Sequence, residues 1–383
     1  MTIDTSNWDK VTLGDIAQSL TIATKDPLSE GLERYVGLEH IEPGNIHIKS
    51  WGNVADGTTF TRLFRKGQVL FGKRRAYQKK AAMAEFDGIC SGDILVCEAI
   101  KGAVLPELLP FIVQSDRFFE YAIKTSAGSL SPRTKFKDLA KFAFKLPAKS
   151  VDQKRIADLL WSIDDVGENY IKLLKKLTIF KNAYFDIIHE DKKSNPRSVS
   201  EIAEVNPRLR QKDISSSTVI SFVAMADVSE EGCILQKEDK SYGAVKNGLT
   251  PFEEGDILFA KITPCMENGK GAIALSLTNR IGFGSTEFHV LRPKNFDDRD
   301  YLFYLTMMYS LRKKAEQLMT GSAGQRRVPS DFFDFYKVRF PEASKRKLIG
   351  QQMKSFDEKI ADLKRNIAGV KAIQKQIINQ IFG

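Results

Sequence analysis

Apolar residues recur at alternating spacings of four and three in two long stretches of the chain. In the first stretch, from Gln153 to Ile188, one stripe contains Ile156, Leu160, Ile163, Val166, Tyr170, Leu174, Leu177 and Tyr184. In the second stretch, the stripe contains Ile349, Met353, Phe356, Ile360, Leu363, Ile367, Val370, Ile377 and Ile381. A stripe this narrow, with charged flanks, is typical of a helix that packs lengthwise on another helix. Either stretch alone is compatible with an ordinary core helix, but because the pattern occurs twice in the chain, the two helices are predicted to pair.

The segments around these two stretches also match each other. Pro147 precedes AKSVDQKRIADLLWSID, and Pro341 precedes EASKRKLIGQQMKSFD, so each helix is predicted to begin a few residues after a proline. The closest internal match pairs FRKGQVLFGK (64–73) with FEEGDILFAK (252–261). Weaker matches pair GICSGDILV (88–96) with GFGSTEFHV (282–290), and SAGSLSP (126–132) with SAGQRRV (322–328). The chain is therefore predicted to be a duplication of half-chain units.

The predicted fold class is α+β. It comprises two similar mixed α/β domains, each followed by a long helix, and the two helices pair as an antiparallel coiled coil with pseudo-twofold symmetry. In the first half, the residue pattern predicts strands over 34–41, 45–48, 67–73, 88–97 and 142–146, and helical spacing over 108–124. The predicted boundaries are 1–150 for the first domain, 151–197 for the central helix with the polar linker DKKSNPR, 198–343 for the second domain and 344–383 for the last helix.

Chain connectivity predicts the antiparallel direction. The first helix leads from one domain to the other, so a second helix that starts at the second domain must run back along the first. The two domains are then expected at opposite ends of a two-helix rod. A helix of about 35 residues is roughly 50 Å long. This length exceeds one turn of B-DNA, roughly 34 to 36 Å, so the rod is suited to hold two readers on one duplex.

The composition favours a polyanionic partner. The chain carries 58 Lys and Arg against 48 Asp and Glu, a formal net charge of +10. Such an excess is typical of nucleic-acid binding, although it also serves solubility. Neither a secretion signal nor a membrane span is predicted, so a cytoplasmic location without membrane contact is expected. The four cysteines and four histidines are scattered without ligand spacing, so no metal site is expected.

Basic residues cluster in two parts of each half. In the first half they are Lys73, Arg74, Arg75, Lys79 and Lys80, followed by Arg133 and Lys135 in the loop after the SAG triplet; in the second half the matching positions are Lys261, Lys270, Gln325, Arg326 and Arg327. Lys and Arg neutralise phosphates, and Arg and Gln read guanine and adenine edges in the major groove. These residues are the predicted DNA-binding set. A solvated charged loop or a polar turn is the alternative for each segment.

Motifs of enzymes are not found in the sequence. Gly269–Gly271 is not followed by Ser or Thr and lacks the spaced leading glycine of a phosphate-binding loop. The tetrapeptides N-P-P-Y and D-P-P-Y of amino-methyltransferases are missing, and the nearest segment is Val205–Arg208. No catalytic residue is therefore predicted.

On these features the chain resembles the specificity subunit of type I restriction and modification systems. The resemblance covers essentially the whole chain. It rests on the duplicated organisation, on LPAKSVDQKRIADLLWSID and its weaker copy FPEASKRKLIGQQMKSFD, and on GKGAIA and GSTEFHVLRP in the second half. The first half departs from the last two motifs with KKAAMA and CSGDILV. The second entry has Arg346 at the place where the first has Gln153.

This resemblance implies a subunit without catalysis that reads a bipartite double-stranded DNA target, with one target recognition domain for each part. The implied partners are two modification (methyltransferase) subunits and restriction subunits. S-adenosylmethionine, ATP and magnesium would belong to those partners, and no cofactor is expected on this chain. The helices would set the spacing of the target, with the coiled-coil seam formed by Ile156, Leu160, Ile163, Leu174, Leu177, Ile349, Met353, Phe356, Ile360, Leu363 and Ile367.

Two other classes of function remain open at this stage. One is a methyltransferase or nuclease with unfamiliar motifs, which would turn over DNA and S-adenosylmethionine by itself. The other is a non-specific nucleic-acid-binding or coiled-coil scaffold protein, for which shuffled DNA would compete as well as any target.

The paired stripes predict the effect of lengthening both helices. Inserting one heptad into each helix should lengthen the gap between the two parts of the recognised sequence, because the helices set the distance between the readers. The two half-sequences should stay the same. Sequencing of methylated sites in a host that carries the variant measures both quantities. Altered half-sequences with an unaltered gap would contradict the model.

Overall fold

The computed structural model describes residues 5–189, 192–193, 195–322 and 324–383, which divide into two compact units. Unit 1 contains the chain up to Ile171 together with Arg365–Gly383, and unit 2 contains Lys172–Lys364. Asp191 and Ser194 of the predicted linker and Ala323 of the second SAG triplet lie outside the described residues. Each unit combines one mixed domain with parts of both long helices.

Unit 1 has two four-stranded sheets and a two-stranded ribbon. Its strands are β1 (Asp9–Thr12), β2 (Ala17–Leu20), β3 (Arg34–Val36), β4 (Gly52–Asn53), β5 (Arg62–Phe64), β6 (Val69–Gly72), β7 (Ala81–Met83), β8 (Gly88–Cys90), β9 (Ile94–Ala99) and β10 (Ala143–Leu146). The sheet orders are β2-β9-β6-β7 and β4-β3-β8-β5, and β1 pairs with β10. All pairs are antiparallel except β3 with β8.

Unit 2 repeats this topology strand for strand. Its strands are β11 (Arg197–Ser198), β12 (Ala203–Val205), β13 (Val219–Val223), β14 (Glu238–Ser241), β15 (Thr250–Glu253), β16 (Ile257–Ala260), β17 (Gly271–Ile273), β18 (Ile281–Gly284), β19 (Phe288–Pro293) and β20 (Lys337–Val338). The sheet orders are β12-β19-β16-β17 and β14-β13-β18-β15, and β11 pairs with β20. The parallel pair, β13 with β18, again occupies the same place. The predicted duplication is therefore confirmed at the level of strand pairing.

Each half ends in a long helix, and shorter helices lie between its strands or after them. They are α1 (Leu13–Ile16), α2 (Leu109–Ile112), α3 (Asp116–Lys124), α4 (Phe136–Leu139), α5 (Ser150–Ile188), α6 (Tyr242–Val245), α7 (Arg299–Met307), α8 (Tyr309–Gln317), α9 (Phe332–Phe335) and α10 (Ala343–Phe382). The α+β class and the two long helices agree with the sequence prediction. The helix expected over 108–124 is divided, because Ser115 accepts a hydrogen bond from Phe118 N at 3.3 Å and starts α3 afresh.

Three further local predictions need correction. The strand predicted over 34–41 ends at Val36, and Leu38–His40 forms a 3-10 turn. Residues 45–48 do not form a strand; they make one isolated bridge, between His47 and Met83, and the His47 side chain contacts Asp164 of helix α5. The strand predicted over 88–97 is two strands, because Asp93 N donates to Ser91 Oγ and Ile94 N donates to Ser91 O in a tight turn. The hydrophobic pattern alone does not predict such a turn.

The closest internal match corresponds to equivalent buried strands. All four residues of β6 and all four of β16 are buried. A glycine with positive φ precedes each strand, Gly67 at 88° and Gly255 at 90°. Glycine adopts this backbone conformation without the cost that a Cβ atom brings. The shared glycine is therefore explained by the turn that leads into the central strand of each domain.

The long helices run antiparallel within each unit. In unit 1, Asp164 of α5 accepts a hydrogen bond from Gln374 of α10 at 3.1 Å, and Leu160 lies in the same core cluster as Ile378 and Ile381. In unit 2, Tyr184 donates to Gln352 at 2.9 Å, and Phe180 and Phe356 lie edge to face at 5.7 Å between ring centroids. Rising numbers on α5 thus meet falling numbers on α10 in both units, as predicted.

The predicted seam residues differ in burial. Leu160, Ile349, Met353 and Leu363 are buried, and Ile156, Ile163, Leu174, Leu177, Phe356, Ile360 and Ile367 are half-buried. Val166, which continues the periodic stripe, is exposed, and Gly167 is buried beside it. An ideal Cβ on Gly167 would lie 3.5 Å from Val370 Cγ1. The helices approach closely at this glycine, so the valine side chain is not needed in the seam.

Gln153 and Arg346 play the same structural part at the two helix entries. Gln153 donates to Pro147 O at 2.8 Å and accepts from Leu105 N at 2.9 Å. Arg346 donates to Pro341 O at 2.8 Å and forms two hydrogen bonds of 2.8 Å with the Asp298 carboxylate. The substitution of glutamine by arginine therefore keeps the link between the entry and the adjoining helical segment, with a buried ion pair in place of an amide.

A second ion pair joins the first domain to α5. His47 Nε2 lies 2.6 Å from Asp164 Oδ2, and His47 Nδ1 contacts Glu85. The hydrogen bond with Asp164 outweighs burial and raises the pKa of His47 to about 9. The imidazole is therefore charged at neutral pH. This charged contact holds His47 against helix α5.

Replacing Arg346 by alanine should destabilise the protein more than replacing its uncharged counterpart. The Arg346→Ala change leaves Asp298 buried without its partner, which costs about 3 to 5 kcal/mol in free energy of unfolding. Gln153→Ala is the matched control and should cost about 1 to 3 kcal/mol. Adding Asp298→Ala to Arg346→Ala should recover part of the loss. Urea unfolding measures all three; equal losses for the two single variants would contradict the expectation.

Candidate nucleic-acid interface

The basic segment after β6 has an unusual backbone. Arg75 and Lys79 have φ values of 54° and 52°, and they bracket a short 3-10 turn over Ala76–Gln78. Left-handed conformations are uncommon for residues other than glycine and persist where the surroundings impose them. Within this turn, Ala76 is buried and Tyr77 is 54% exposed. The turn therefore presents an aromatic ring between basic side chains.

In the first domain the structure brings the two predicted basic segments together. Arg74 forms an isolated β-bridge with Arg133. Arg75 N donates to Pro132 O at 2.8 Å, and Thr134 N donates to Lys73 O at 3.0 Å. Residues separated by about 60 positions in sequence thus share one surface. Lys135 follows at the start of α4 and is exposed.

The second domain repeats this arrangement in the same register. Ile262 forms a bridge with Arg327. Thr263 N donates to Arg326 O at 3.0 Å, and Val328 N donates to Lys261 O at 2.9 Å. Gln325 beside them is exposed. We name the paired backbone segments of each domain the two-segment surface: residues 73–75 with 132–134, and residues 261–263 with 326–328.

Some of the predicted residues are held by contacts inside their own domain. Lys80 Nζ donates to Leu38 O at 2.6 Å, and Lys270 Nζ donates to Met225 O at 3.1 Å. Both acceptors begin equivalent 3-10 turns, Leu38–His40 and Met225–Asp227. The two lysines are therefore equivalent, as the sequence match predicts, and each ties β7 or β17 to a turn of the adjacent sheet. Their role in DNA binding stays a prediction.

Lys79 forms an ion pair with an acidic group of its own domain. Its Nζ lies 2.7 Å from Asp116 Oδ1 at the start of α3. Asn379 and Lys375 of α10 also contact the Asp116 carboxylate. These donors, with Lys79 first, lower the pKa of Asp116 to about 2. Lys79 thus belongs to a network that links the domain to the last helix within unit 1.

Two carboxylates of the surface were not anticipated from the sequence. Asp93 accepts hydrogen bonds from Arg133, and Glu287 accepts them from Arg327. In each case the arginine contact is the largest cause that lowers the pKa of the carboxyl group. Both residues stand at the sixth position of the matched segments GICSGDILV and GFGSTEFHV. The shared acidic position was the signal available in the sequence.

The charge of the surface is set by these pairs and by burial. Burial is the largest cause that lowers the pKa of Lys73, with Arg62 contributing. Arg74 lies 3.4 Å from Asp93, and Arg326 lies 3.7 Å from Glu267. The side chains of Arg74 and Arg326 remain 39% and 40% exposed. The surface is therefore positive but contains fixed carboxylates.

The described residues give no sign of a metal centre or of a membrane span. Within residues 5–189, 192–193, 195–322 and 324–383, no cluster of three or more His, Cys, Asp or Glu side chains is arranged to hold a metal ion. Over the same ranges, no helix combines the length and the apolar character that crossing a bilayer requires.

Comparison with known proteins places these domains. The family model for the type I restriction modification DNA specificity domain matches residues 5–178 and 191–372. The specificity subunit of the type I restriction enzyme EcoEI of Escherichia coli is 42% identical over 147 residues, which are 38% of this chain and 24% of the relative. The corresponding EcoAI subunit of Escherichia coli is 41% identical over 154 residues, 40% of this chain and 26% of the relative. The alignments span about a quarter of the length of these curated relatives.

Two solved structures share the fold over nearly the full length. One, from work on complex assembly and conformational transition of the type I R-M system, has a TM-score of 0.59 at 17% identity and covers 98% of this chain and 97% of the other. The S subunit of a type I restriction-modification system from M. genitalium has a TM-score of 0.57 at 14% identity, covering 100% of this chain and 98% of the other. With both of its domains matched, the chain belongs to the type I restriction modification DNA specificity domain family.

Proposed function

We propose that this chain is the specificity subunit of a type I restriction and modification complex. It reads a bipartite double-stranded DNA target, with one half read by each domain. The observation that carries the proposal is the two-segment surface, which recurs in the same register in both domains of a chain of this family. A basic surface that combines phosphate-binding and base-reading side chains is the arrangement that sequence recognition requires.

The proposed partners carry the chemistry. Two modification subunits supply adenine methylation with S-adenosylmethionine, and restriction subunits supply ATP- and magnesium-dependent cleavage. This chain supplies recognition and holds no catalytic residue in the proposal. The assembly acts where its DNA substrate lies, in the cytoplasm.

Non-specific nucleic-acid binding is the second candidate, and the net charge of +10 favours it. A competition binding experiment distinguishes the two candidates. Labelled duplex that carries the target should be displaced by target DNA at far lower concentration than by shuffled DNA if the chain reads sequence. The target itself comes from sequencing methylated sites in a host with and without the gene.

Turnover of S-adenosylmethionine should require addition of the modification subunit; turnover by the chain alone would overturn the non-catalytic assignment.

Removing the charges at Lys73, Arg74 and Arg75 should weaken DNA binding and its dependence on salt. Each lost phosphate contact reduces the slope of log affinity against log salt by about 0.9, because fewer counterions are released. Fluorescence anisotropy over a salt series measures the slope. Lys154→Ala on α5 is the control, since Lys154 is 61% exposed and pairs with Asp158 outside the two-segment surface. If the slope is unchanged in the triple variant, these residues do not contact phosphates, and the segment is a solvated charged loop.

Replacing Gln325, Arg326 and Arg327 should alter only one half of the target. These residues belong to the second domain, and each lost bidentate base contact costs about 1 to 3 kcal/mol of discrimination. Sequencing of methylated sites for the variant complex reports both halves in one experiment. The equivalent change at Arg133 and Lys135 should alter the other half. A change in both halves from either variant would show that the domains do not read independently.

A further inference from the structure

Arg327 is held by one edge of its guanidinium group. Its Nε donates to both Glu287 carboxylate oxygens, at 2.9 and 3.1 Å, and its Nη2 donates to Glu287 Oε1 at 2.7 Å. Its Nη1 donates to Gln325 O at 2.9 Å. A guanidinium group has five N–H donors. One donor on Nη1 and one on Nη2 therefore remain for another acceptor; we call the Nη1–Nη2 side the outer edge, and the side chain is 41% exposed.

Arg133 is held in the same way in the first domain. Its Nε donates to Asp93 Oδ1 at 2.7 Å, and its Nη2 donates to Asp93 Oδ2 at 3.2 Å. The side chain is 47% exposed. The carboxylate side chain is one carbon shorter than in the second domain, yet it occupies the same inner edge. The outer edge formed by Nη1 and Nη2 is again left for another acceptor.

The two ion pairs are not needed to hold the backbone of their loops. Arg327 exchanges backbone hydrogen bonds of 2.8 and 3.0 Å with Thr320, and Arg133 exchanges bonds of 2.9 and 3.0 Å with Ala127. Half-exposed ion pairs also contribute little to stability. Their recurrence at matching positions of two domains with different loop sequences thus calls for a role of the side chain rather than of the fold.

The shape of the free edge points to its ligand. Guanine presents two acceptors, N7 and O6, in the major groove, and a planar arginine edge meets both. An arginine fixed in advance by a carboxylate loses less side-chain entropy on binding. The carboxylate also offsets the positive charge, which weakens attraction to phosphates at sites of any sequence. Both effects increase discrimination more than affinity.

Resting on the proposed function, we propose that Asp93 and Glu287 are positioning residues for base recognition. Each holds the arginine of its domain, Arg133 or Arg327, so that the outer guanidinium edge contacts one guanine in one half of the target. The carboxylates themselves do not touch DNA.

The test begins with the base pair that depends on Arg327. Sequencing of methylated sites for the Arg327→Ala complex identifies the position that loses selection, which the proposal expects to be a G·C pair. Duplexes with guanine or 7-deazaguanine at that position then isolate the N7 contact. Wild-type complex should bind the 7-deazaguanine duplex about tenfold more weakly, within the range of one bidentate base contact.

The Glu287 variants separate positioning from a merely structural role. Glu287→Ala should lose most of the difference between guanine and 7-deazaguanine while it binds shuffled duplex as tightly as wild type or more tightly. Glu287→Asp keeps the charge at the length found in the first domain, and should retain most of the difference. Glu316→Ala, which breaks an exposed ion pair with Lys313 in the same domain, is the control and should behave as wild type. Asp93→Ala tests the same inference at the other half of the target.

Three results would overturn the inference. Glu287→Ala and Asp93→Ala could keep wild-type discrimination at every position. The variants could weaken binding equally for all duplexes, which indicates a structural role. The 7-deazaguanine substitution could leave wild-type binding unchanged while Arg327→Ala lowers the salt slope, which assigns the arginine to a phosphate. If wild-type complex fails to distinguish target from shuffled duplex, the proposed function itself fails, and that outcome differs from the other three.

Discussion

Both units depend on burial of apolar side chains where a mixed domain meets two antiparallel helical segments. In unit 1, Leu160 of α5 and Phe382 of α10 are fully buried in a cluster with Phe144 of β10. In unit 2, Phe185 of α5 and Met353 of α10 are buried in a cluster with Tyr301 of α7. An amphipathic helix gains most of its stability from such packing rather than from its own propensity. Neither the domains nor the helices are therefore complete without each other.

The two domains share the backbone pairing of the two-segment surface but differ in the side chains on it. The bridge between residues 74 and 133 has its counterpart between residues 262 and 327, and the flanking backbone hydrogen bonds are conserved in register. The side chains on this frame differ, since Arg74 corresponds to Ile262 and Pro132 corresponds to Arg326. A backbone frame that satisfies its own hydrogen bonds tolerates such exchange. Two domains with one architecture can thereby present different chemistry.

Periodicity and internal matching were enough to predict the paired helices, the duplication and several of the buried strands. These features leave a local record in the sequence, because one face of a helix or both faces of a central strand must be apolar. The pairing of β3 with β8 leaves no such record, since it joins distant segments in parallel. The contact of His47 with Asp164 has the same character. Residues 45–48 resemble a strand by composition, but the His47 side chain finds its partner, Asp164, on a helix more than 100 positions away.

The candidate site was predictable in residue type but not in arrangement. Basic clusters at 73–75 and 133–135 are visible in the sequence, whereas their adjacency depends on a backbone pairing that closes a loop of about 60 residues. The roles of Asp93 and Glu287 depend on the same pairing, because each carboxylate meets the arginine of the second segment, Arg133 or Arg327. For Gln153 and Arg346 the residue types differ, but the arrangement is the same. Each side chain donates to the proline carbonyl at its helix entry, Gln153 to Pro147 O and Arg346 to Pro341 O, although the sequences differ at this position.

The composition of unit 1 has a consequence for the order in which the protein folds during synthesis. Its core includes Ile378, Ile381 and Phe382, which a ribosome adds only after all of unit 2 has been made. Phe382 is fully buried, and its ring lies 6.2 Å from that of Phe144. Unit 1 is thus completed after unit 2, which is formed from one uninterrupted segment. A nascent chain would expose the apolar docking surface of the unit 1 domain until residues 378–382 have been translated.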